Sequence, residues 1–247
     1  NYENKKFFKI LKRQTLDLTK CKFILIRQNP PFNLEYISTT YILDRIKNKV
    51  KIINNPTSIR NISEKLYSAK YQRFMPYTIF TRDLIEIKRF IKKHKKIIIK
   101  PIHSFSGNDI HLLRKFDEKL INKFIRKHDH IMCQKFLSKI SKGDKRVFII
   151  NGKVVGAISR VPKKGSILSN MSKGAKPFNI NLTKIEKKIS KLISKDLKKE
   201  SIFFAGIDFI DQKLNGDINV TSPTGLKTFF DLSGKNLAKI FWTELKA

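Results

Sequence analysis

The chain has 247 residues, 40 % of them hydrophobic, a formal net charge of +33 and two cysteines. That length and composition support one large domain or two small ones with a true core, and exclude a disordered chain. No apolar run reaches the ~18 residues of a membrane-spanning helix, and two cysteines are too few for a disulfide framework.

The N-terminus lacks the apolar stretch of a signal peptide. Cys21 and Cys133 stand in no metal-ligand spacing, so both are expected as buried small apolar residues in a reducing, cytoplasmic setting. The positive charge raises the question of nucleic acid. Lysines far outnumber arginines, however, and are scattered rather than gathered into a stripe with interleaved aromatics. Together with the abundance of Ile, Asn and Phe this reads as compositional drift at exposed positions, and no specific nucleic-acid partner is expected.

The opening NYENKKFFKILKRQTLDL shows no strand–turn start and begins with Asn1 instead of Met, which suggests a chain starting part-way through a longer protein. KFILIRQ (22–28) is a β-branched run expected as a strand buried on both faces, ended by the prolines of NPPF. EYISTTYILDRIKNK has helical spacing with Ile37, Tyr41 and Ile42 on one face, and VKIIN (50–54) is a second strand. Strand, helix and strand in that order indicate a βαβ unit of a parallel sheet, whose ligand-facing loops lie at the carboxyl ends of strands. Residues 27–32 fall there.

After Pro56 a helix is expected through TSIRNISEKLYSAKYQRF, capped by Thr57 or Ser58. A strand at YTIFT, a helix at DLIEIKRFIKKH and a strong strand at KIIIKP follow, then the polar loop HSFSGND with DIHLL as the returning partner. A lysine-rich helix precedes the strand HIMCQKFL. KRVFIINGKVVGAISRV reads as two strands joined by Asn151-Gly152, a strong hairpin signal. KKGSILSNMSKGAKPFN is expected as a long loop, IEKKISKLISKDLKKE as an amphipathic helix, SIFFAGIDFID and DINVTSP as strands, and KNLAKIFWTELK as a closing helix.

Several residues on this frame invite chemistry. Asp208 lies inside an apolar strand, where a carboxylate is costly unless paired or metal-bound. Asp217 and Asn219 alternate along the next strand and share a face. Two carboxylates and an amide oxygen make a hard-oxygen site suited to Mg²⁺; the alternative is that all three serve turns. Lys65 and Lys100 are either phosphate-binding point charges or ordinary surface lysines. Arg146 and Arg160, on paired strands beside Asp144 and Lys145, form either a forked clamp for phosphate or carboxylate, or plain surface charge. His103 is either a solvated loop residue or a catalytic one, and no Ser/His/Asp or Cys/His arrangement appears.

RQNPPFNLEYISTTYIL, NNPTSIRNISEKLYSAK, IIIKP, SKGDKRVFIINGKVV, SRVP and GIDFIDQKLNGDINVTSPTG, taken in order, resemble the successive motifs of the bacterial glutathione synthetases, from about residue 20 to the C-terminus. The resemblance implies an α/β (α+β) ATP-grasp fold preceded by the C-terminal part of a parallel-sheet N-terminal domain. Residues 1–57 would be the remainder of that substrate-binding domain and 58–247 the ATP-grasp domain, with a lid subdomain at about 62–133 and a C-terminal subdomain at about 134–247.

It further implies that Lys65, Lys100 and Gly107 meet the ATP phosphates, that Gln134, Lys135, Phe136 and Leu137 run beside adenine, and that Asp208, Asp217 and Asn219 bind Mg²⁺ or Mn²⁺. Arg146 and Arg160 would stabilise the transferring phosphoryl group. Arg27 and Pro30 would contact the dipeptide, and Asn170, Ser222, Pro223 and Thr224 would line the substrate side. The implied reaction joins γ-glutamylcysteine to glycine at the expense of ATP, in a homotetramer. Departures from the family pattern are the single glycine of HSFSGND, Asp217 in place of glutamate, Asn29 in place of aspartate, and a stretch GSILSNMSKGAK without the relatives' arginines. The competing readings are another ATP-grasp ligase, which would differ at residues 27–32 and 222–225, and a basic nucleic-acid-binding protein.

Overall fold

The computed structural model describes residues 9–105 and 107–246. Residues 1–8, part of the opening stretch expected to lack a strand, lie outside the described residues, as do Ser106 of the polar loop and Ala247. Three sheets organise the rest: a two-stranded parallel sheet, a four-stranded antiparallel sheet and a five-stranded antiparallel sheet. Among the described residues no helix is long and apolar enough to cross a membrane.

The small sheet is the expected βαβ unit. β1 (Phe23–Leu25) pairs in parallel with β2 (Lys51–Ile53) across α1 (Leu34–Asp44). β1 is half-buried throughout and not covered on both faces. The expected face of α1 is also corrected. Tyr36, Thr40 and Leu43 are buried, whereas Tyr41 and Ile42 are 59 % and 65 % exposed. Thr40 buries because its hydroxyl donates to the Ile37 carbonyl at 2.6 Å, which satisfies the polar group inside its own helix. Tyr41 lies outside, under the Arg60 guanidinium.

α2 (Pro56–Asn61) is capped by Asn55, whose side chain accepts from the Ser58 N–H, with Pro56 at the first helical position where its missing N–H costs nothing. The cap is therefore neither Thr57 nor Ser58. Nor is the helix continuous to Phe74: it ends at Asn61 and resumes as a 3₁₀ segment over Leu66–Phe74. The break has a cause in the sheet below, since the Glu64 carbonyl accepts the Ile218 N–H and is withdrawn from the helical ladder.

The four-stranded sheet has the order β3 (Thr78–Thr81), β6 (Ile131–Lys135), β4 (Ile97–Pro101), β5 (His111–Leu113). α3 (Leu84–His94) and α4 (Glu118–His128) cover one face, packing Ile87, Phe90, Ile121 and Phe124 on Ile97, Ile99, Ile131 and Cys133. Strand alternation sends Ile98, Lys100 and Gln134 to the opposite face. Cys133 is buried as expected; Cys21 is only half-buried.

The five-stranded sheet runs β11 (Lys213–Asn219), β10 (Phe204–Ile210), β7 (Asp144–Ile150), β8 (Lys153–Val161), β9 (Lys176–Asn179). The β7–β8 turn places Asn151 and Gly152 at φ 49° and 73°, the left-handed pair that a two-residue hairpin requires. β9 is taken from the end of the expected long loop, because its backbone completes the edge of β8. α5 (Lys184–Lys199) packs Ile189, Ile193 and Leu197 against Val147, Ile149 and Ile207 on one face. On the other, α6 (Leu226–Ser233) and α7 (Leu237–Lys246) pack Phe229, Phe241 and Leu245 on Phe148, Ile158 and Phe204. Of these two helices the sequence announces only α7. Ile53 joins that second core and so seats the small sheet on the large one.

Candidate active site

A cleft of about 520 Å³ lies where the two larger sheets and the small sheet meet. The four-stranded sheet contributes Ile98, Lys100 and Gln134, and the chain leaving it at the end of β6 contributes Lys135, Phe136 and Leu137. The five-stranded sheet contributes Asp144, Arg146, Arg160, Asp208, Asp217 and Asn219. Arg27, Pro30 and Phe32 close the small-sheet end; the β4–β5 loop and the segment 167–172 complete the lining.

Cross-strand register assembles the charges. Asp144 pairs with Arg160 across β7–β8, and Arg146 pairs with Asp208 across β7–β10. Arg146 donates from Nε and Nη2 to the two oxygens of Asp208 at 2.5 and 2.8 Å. Arg160 donates to both oxygens of Asp144, and its Nη2 also reaches Asp208 Oδ2 at 2.9 Å. Ser169 Oγ donates to Asp144, which ties the segment 167–172 to the network. Burial alone would raise the Asp208 carboxyl, but the two guanidinium groups overcome it and hold it far below the usual carboxylate range. Burial raises Asp144 despite its contact with Arg160. Both arginines are 7 % exposed, so the surface-charge reading is excluded for them.

A second charge group faces this one. Between Ile207 and Phe209 the β10–β11 ladder shifts, setting Asn215, Gly216 and Asp217 of β11 opposite the single Asp208. The bulge brings Asn215 to Lys100, whose Nζ donates to the Asn215 carbonyl and side-chain oxygen at 2.9 and 3.1 Å and lies 3.5 Å from Asp217. Lys65 Nζ lies 3.6 Å from Asp217 and donates to the Ser104 carbonyl. Both lysines are 4 % exposed, and burial holds the Lys100 ammonium below its ordinary range. Neither is an ordinary surface lysine.

With one exception, every residue given a binding, catalytic or metal role from the sequence lines this one cleft. Lys65, Lys100 and Gly107 stand there with the 134–137 strand end, as do Arg146, Arg160, Asp208, Asp217 and Asn219. Arg27, Pro30, Asn170, Ser222 and Thr224 lie around the same cavity. Pro223 is the exception. It faces a small neighbouring cavity, and its carbonyl accepts from Arg27 Nη2 at 2.9 Å.

Glu64 lines the cleft with Lys65 and Asp217, although the sequence does not flag it. Burial, against the pull of Lys65, pushes its carboxyl up to about 7. Its only sequence signal is a helical pattern that the structure interrupts there. Asn215 and Ser169 escape sequence reasoning too, because a bulge and an aperiodic loop deliver them.

Asp208, Asp217 and Asn219 offer hard oxygen donors from adjacent strands, the set that Mg²⁺ prefers. Among the described residues no group of three His, Cys, Asp or Glu stands together as a complete metal site. Two carboxylates and one amide leave room in the shell of such a cation for ligand oxygens and water. Asn219 Oδ1 already accepts the Ser222 N–H at 3.1 Å, which fixes its orientation.

The family profile for the N-terminal domain of prokaryotic glutathione synthetase matches residues 1–60, and that for its ATP-grasp domain matches residues 64–234. Glutathione synthetase of Brucella melitensis biotype 1 is 36 % identical over 237 residues, covering 94 % of this chain and 75 % of the relative. Glutathione synthetase of Buchnera aphidicola subsp. Baizongia pistaciae is 36 % identical over 249 residues, covering 98 % and 76 %. Among solved structures, D-cycloserine synthetase DcsG has a TM-score of 0.70 at 12 % identity, covering 95 % of this chain and 86 % of that one. D-alanyl-alanine synthetase A of Vibrio cholerae has a TM-score of 0.61 at 13 % identity, covering 83 % and 71 %. At such identities the structural likeness concerns fold alone.

Proposed function

The chain belongs to the prokaryotic glutathione synthetase family of ATP-dependent ligases, and from that premise we propose that its cleft binds ATP with Mg²⁺ and joins γ-glutamylcysteine to glycine. The observation that carries this reading is the convergence of four cations on one cleft: Lys65, Lys100, Arg146 and Arg160, each 4–7 % exposed, face Asp208 and the half-buried Asp217. A polyphosphate is the ligand whose charge such a set of buried cations suits.

Adenine lies against residues 134–137, and Lys65 and Lys100 take the phosphates as point charges. Gly107, at φ +70°, lets the β4–β5 loop approach the phosphates with its main chain. Asp208, Asp217 and Asn219 hold the Mg²⁺, which supplies neutralisation of phosphate charge; a structurally similar ATP-grasp ligase, PsnB, has been solved with Mg and ADP. The dipeptide sits at the small-sheet end, with Arg27 and Pro30 on one side and Asn170, Ser222, Pro223 and Thr224 on the other.

The cysteinyl carboxylate attacks the γ-phosphorus, ADP leaves, and an acyl phosphate forms. The glycine amine then attacks the acyl carbon and phosphate departs with one of the former carboxylate oxygens. Arg146 and Arg160, freed from part of their hold on Asp208, spread forked donors over the negative oxygens in both steps. The chain's remaining task is positioning and exclusion of water, which needs no nucleophilic side chain.

Phosphate release should require ATP, Mg²⁺, γ-glutamylcysteine and glycine together. Release that persists when both acceptors are left out would overturn the reading.

A further inference from the structure

Among the described residues no strand ladder joins the small sheet to the five-stranded sheet. Their relative placement matters, because Arg27 belongs to one and Ser222 to the segment leaving the other. Besides one main-chain bond, from the Asn55 N–H to the Ser201 carbonyl at 3.4 Å, side chains make the join, and one residue dominates it. Asn54, just past β2 and 5 % exposed, donates from Nδ2 to the Phe204 carbonyl at 2.8 Å and to the Val220 carbonyl at 2.7 Å. Its Oδ1 accepts from the Phe203 and Phe204 N–H groups at 2.9 and 2.8 Å. Both amide hydrogens and both oxygen lone pairs are thereby used, the full capacity of the group.

The partners are not arbitrary. Val220 directly follows Asn219 and precedes the turn bearing Ser222. From the other side that turn is held by Ser222 Oγ donating to the Gln28 carbonyl at 2.6 Å and by Arg27 donating to Pro223. The turn is thus clamped between Asn54 at its root and the Arg27–Gln28 loop at its tip.

We propose that Asn54 is a positioning residue for the acceptor dipeptide: without touching it, its amide sets the distance between Arg27 and the Ser222 turn that together grip the substrate. This rests on the assignment of Arg27 and Ser222 to the dipeptide made above. The residues assigned to adenine and the phosphates, Lys65, Lys100, Gly107 and 134–137, receive no hydrogen bond from the Asn54 side chain, whose partners are Phe203, Phe204 and Val220.

The test compares wild type with Asn54→Ala and with Asn54→Ser, whose hydroxyl restores one donor and one acceptor. The readouts are KM for γ-glutamylcysteine, KM for ATP and thermal midpoint. For Asn54→Ala the dipeptide KM should rise by about tenfold or more while the ATP KM changes by less than about twofold, with Asn54→Ser intermediate. Equal rises in both constants, a lowered midpoint with both constants unchanged, or failure of both variants to fold would each assign Asn54 to the fold alone and overturn the proposal. Wild-type turnover that ignores the dipeptide would instead remove the functional reading beneath it, an outcome read before any variant is made.

Discussion

Replacing Asp208 by Asn separates the two roles that this carboxylate carries. In the folded protein Asp208 accepts three hydrogen bonds from Arg146 and Arg160. With Asp144 the network holds two carboxylates and two guanidinium groups, so it is electrically balanced. The substituted amide would leave one net positive charge in a site whose members are 2–7 % exposed, and would turn an N–H toward a guanidinium. Breaking a buried pair by removing one partner costs about 3–5 kcal/mol. The lower end applies here, because the arginines line an open cleft and the second carboxylate stays in place. About 3 kcal/mol corresponds to a fall of about 6–12 °C in Tm for a chain of this size, and leaves a folded protein if total stability is the usual ~5–15 kcal/mol. The catalytic loss is separate. With one carboxylate donor gone from the cation, kcat/KM should drop about 100-fold or more, and half-maximal rate should need more Mg²⁺. Thermal melts and phosphate release against Mg²⁺ concentration read the two effects. A lowered Tm with unchanged Mg²⁺ dependence would make Asp208 a mere counterion of the arginines and refute the metal-binding role.

Gly107→Ala should raise the ATP KM by about tenfold, because a Cβ there would come within 2.5 Å of Asn170 Oδ1 and force an unfavourable φ of +70°; titration with ATP checks it, and an unchanged KM would mean that the loop does not close on the phosphates. Glu64 has its carboxyl raised from 4.5 to about 7, so the folded chain holds its proton more tightly than the unfolded chain. Its contribution is present in full below about 4.5 and lost as pH climbs through about 7. Glu64→Gln lacks that loss, so its Tm should gain on the wild type by a few degrees between about pH 5 and about pH 8; parallel melting curves across that range would contradict the raised Glu64 carboxyl. In the native protein a thiol reagent should modify Cys21 and spare Cys133, which is buried and has its thiol pushed up to about 12. Equal labelling of both would show that the four-stranded sheet opens.

Much of this architecture is readable from the residues alone, for identifiable reasons. β4, β7 and β8 carry β-branched runs, β6 and β10 carry apolar ones, and Asn151-Gly152 announces its turn. The charged site is legible at Asp208, a carboxylate inside an apolar strand that is costly to bury without purpose, whereas Lys65, Lys100 and Arg146, open as surface charge from the residues alone, are picked out by the family motifs. The features that escape the sequence are those decided by tertiary contacts. The inner face of α1 escapes because Thr40 satisfies its own hydroxyl and buries like an apolar residue. The break before Lys65 escapes because a distant N–H, that of Ile218, takes the Glu64 carbonyl. β9 is a strand only because β8 offers it an edge, and no local pattern in KPFN declares it.

The central claim is that the cleft transfers the γ-phosphoryl group of ATP onto a carboxylate of γ-glutamylcysteine. Its most direct test is to label both oxygens of the cysteinyl carboxylate with heavy oxygen, supply ATP, Mg²⁺ and glycine, and weigh the released phosphate. One labelled oxygen in each phosphate, with glutathione formed in equal amount, is the predicted result. Unlabelled phosphate, with the lost oxygen recovered in water, would contradict it.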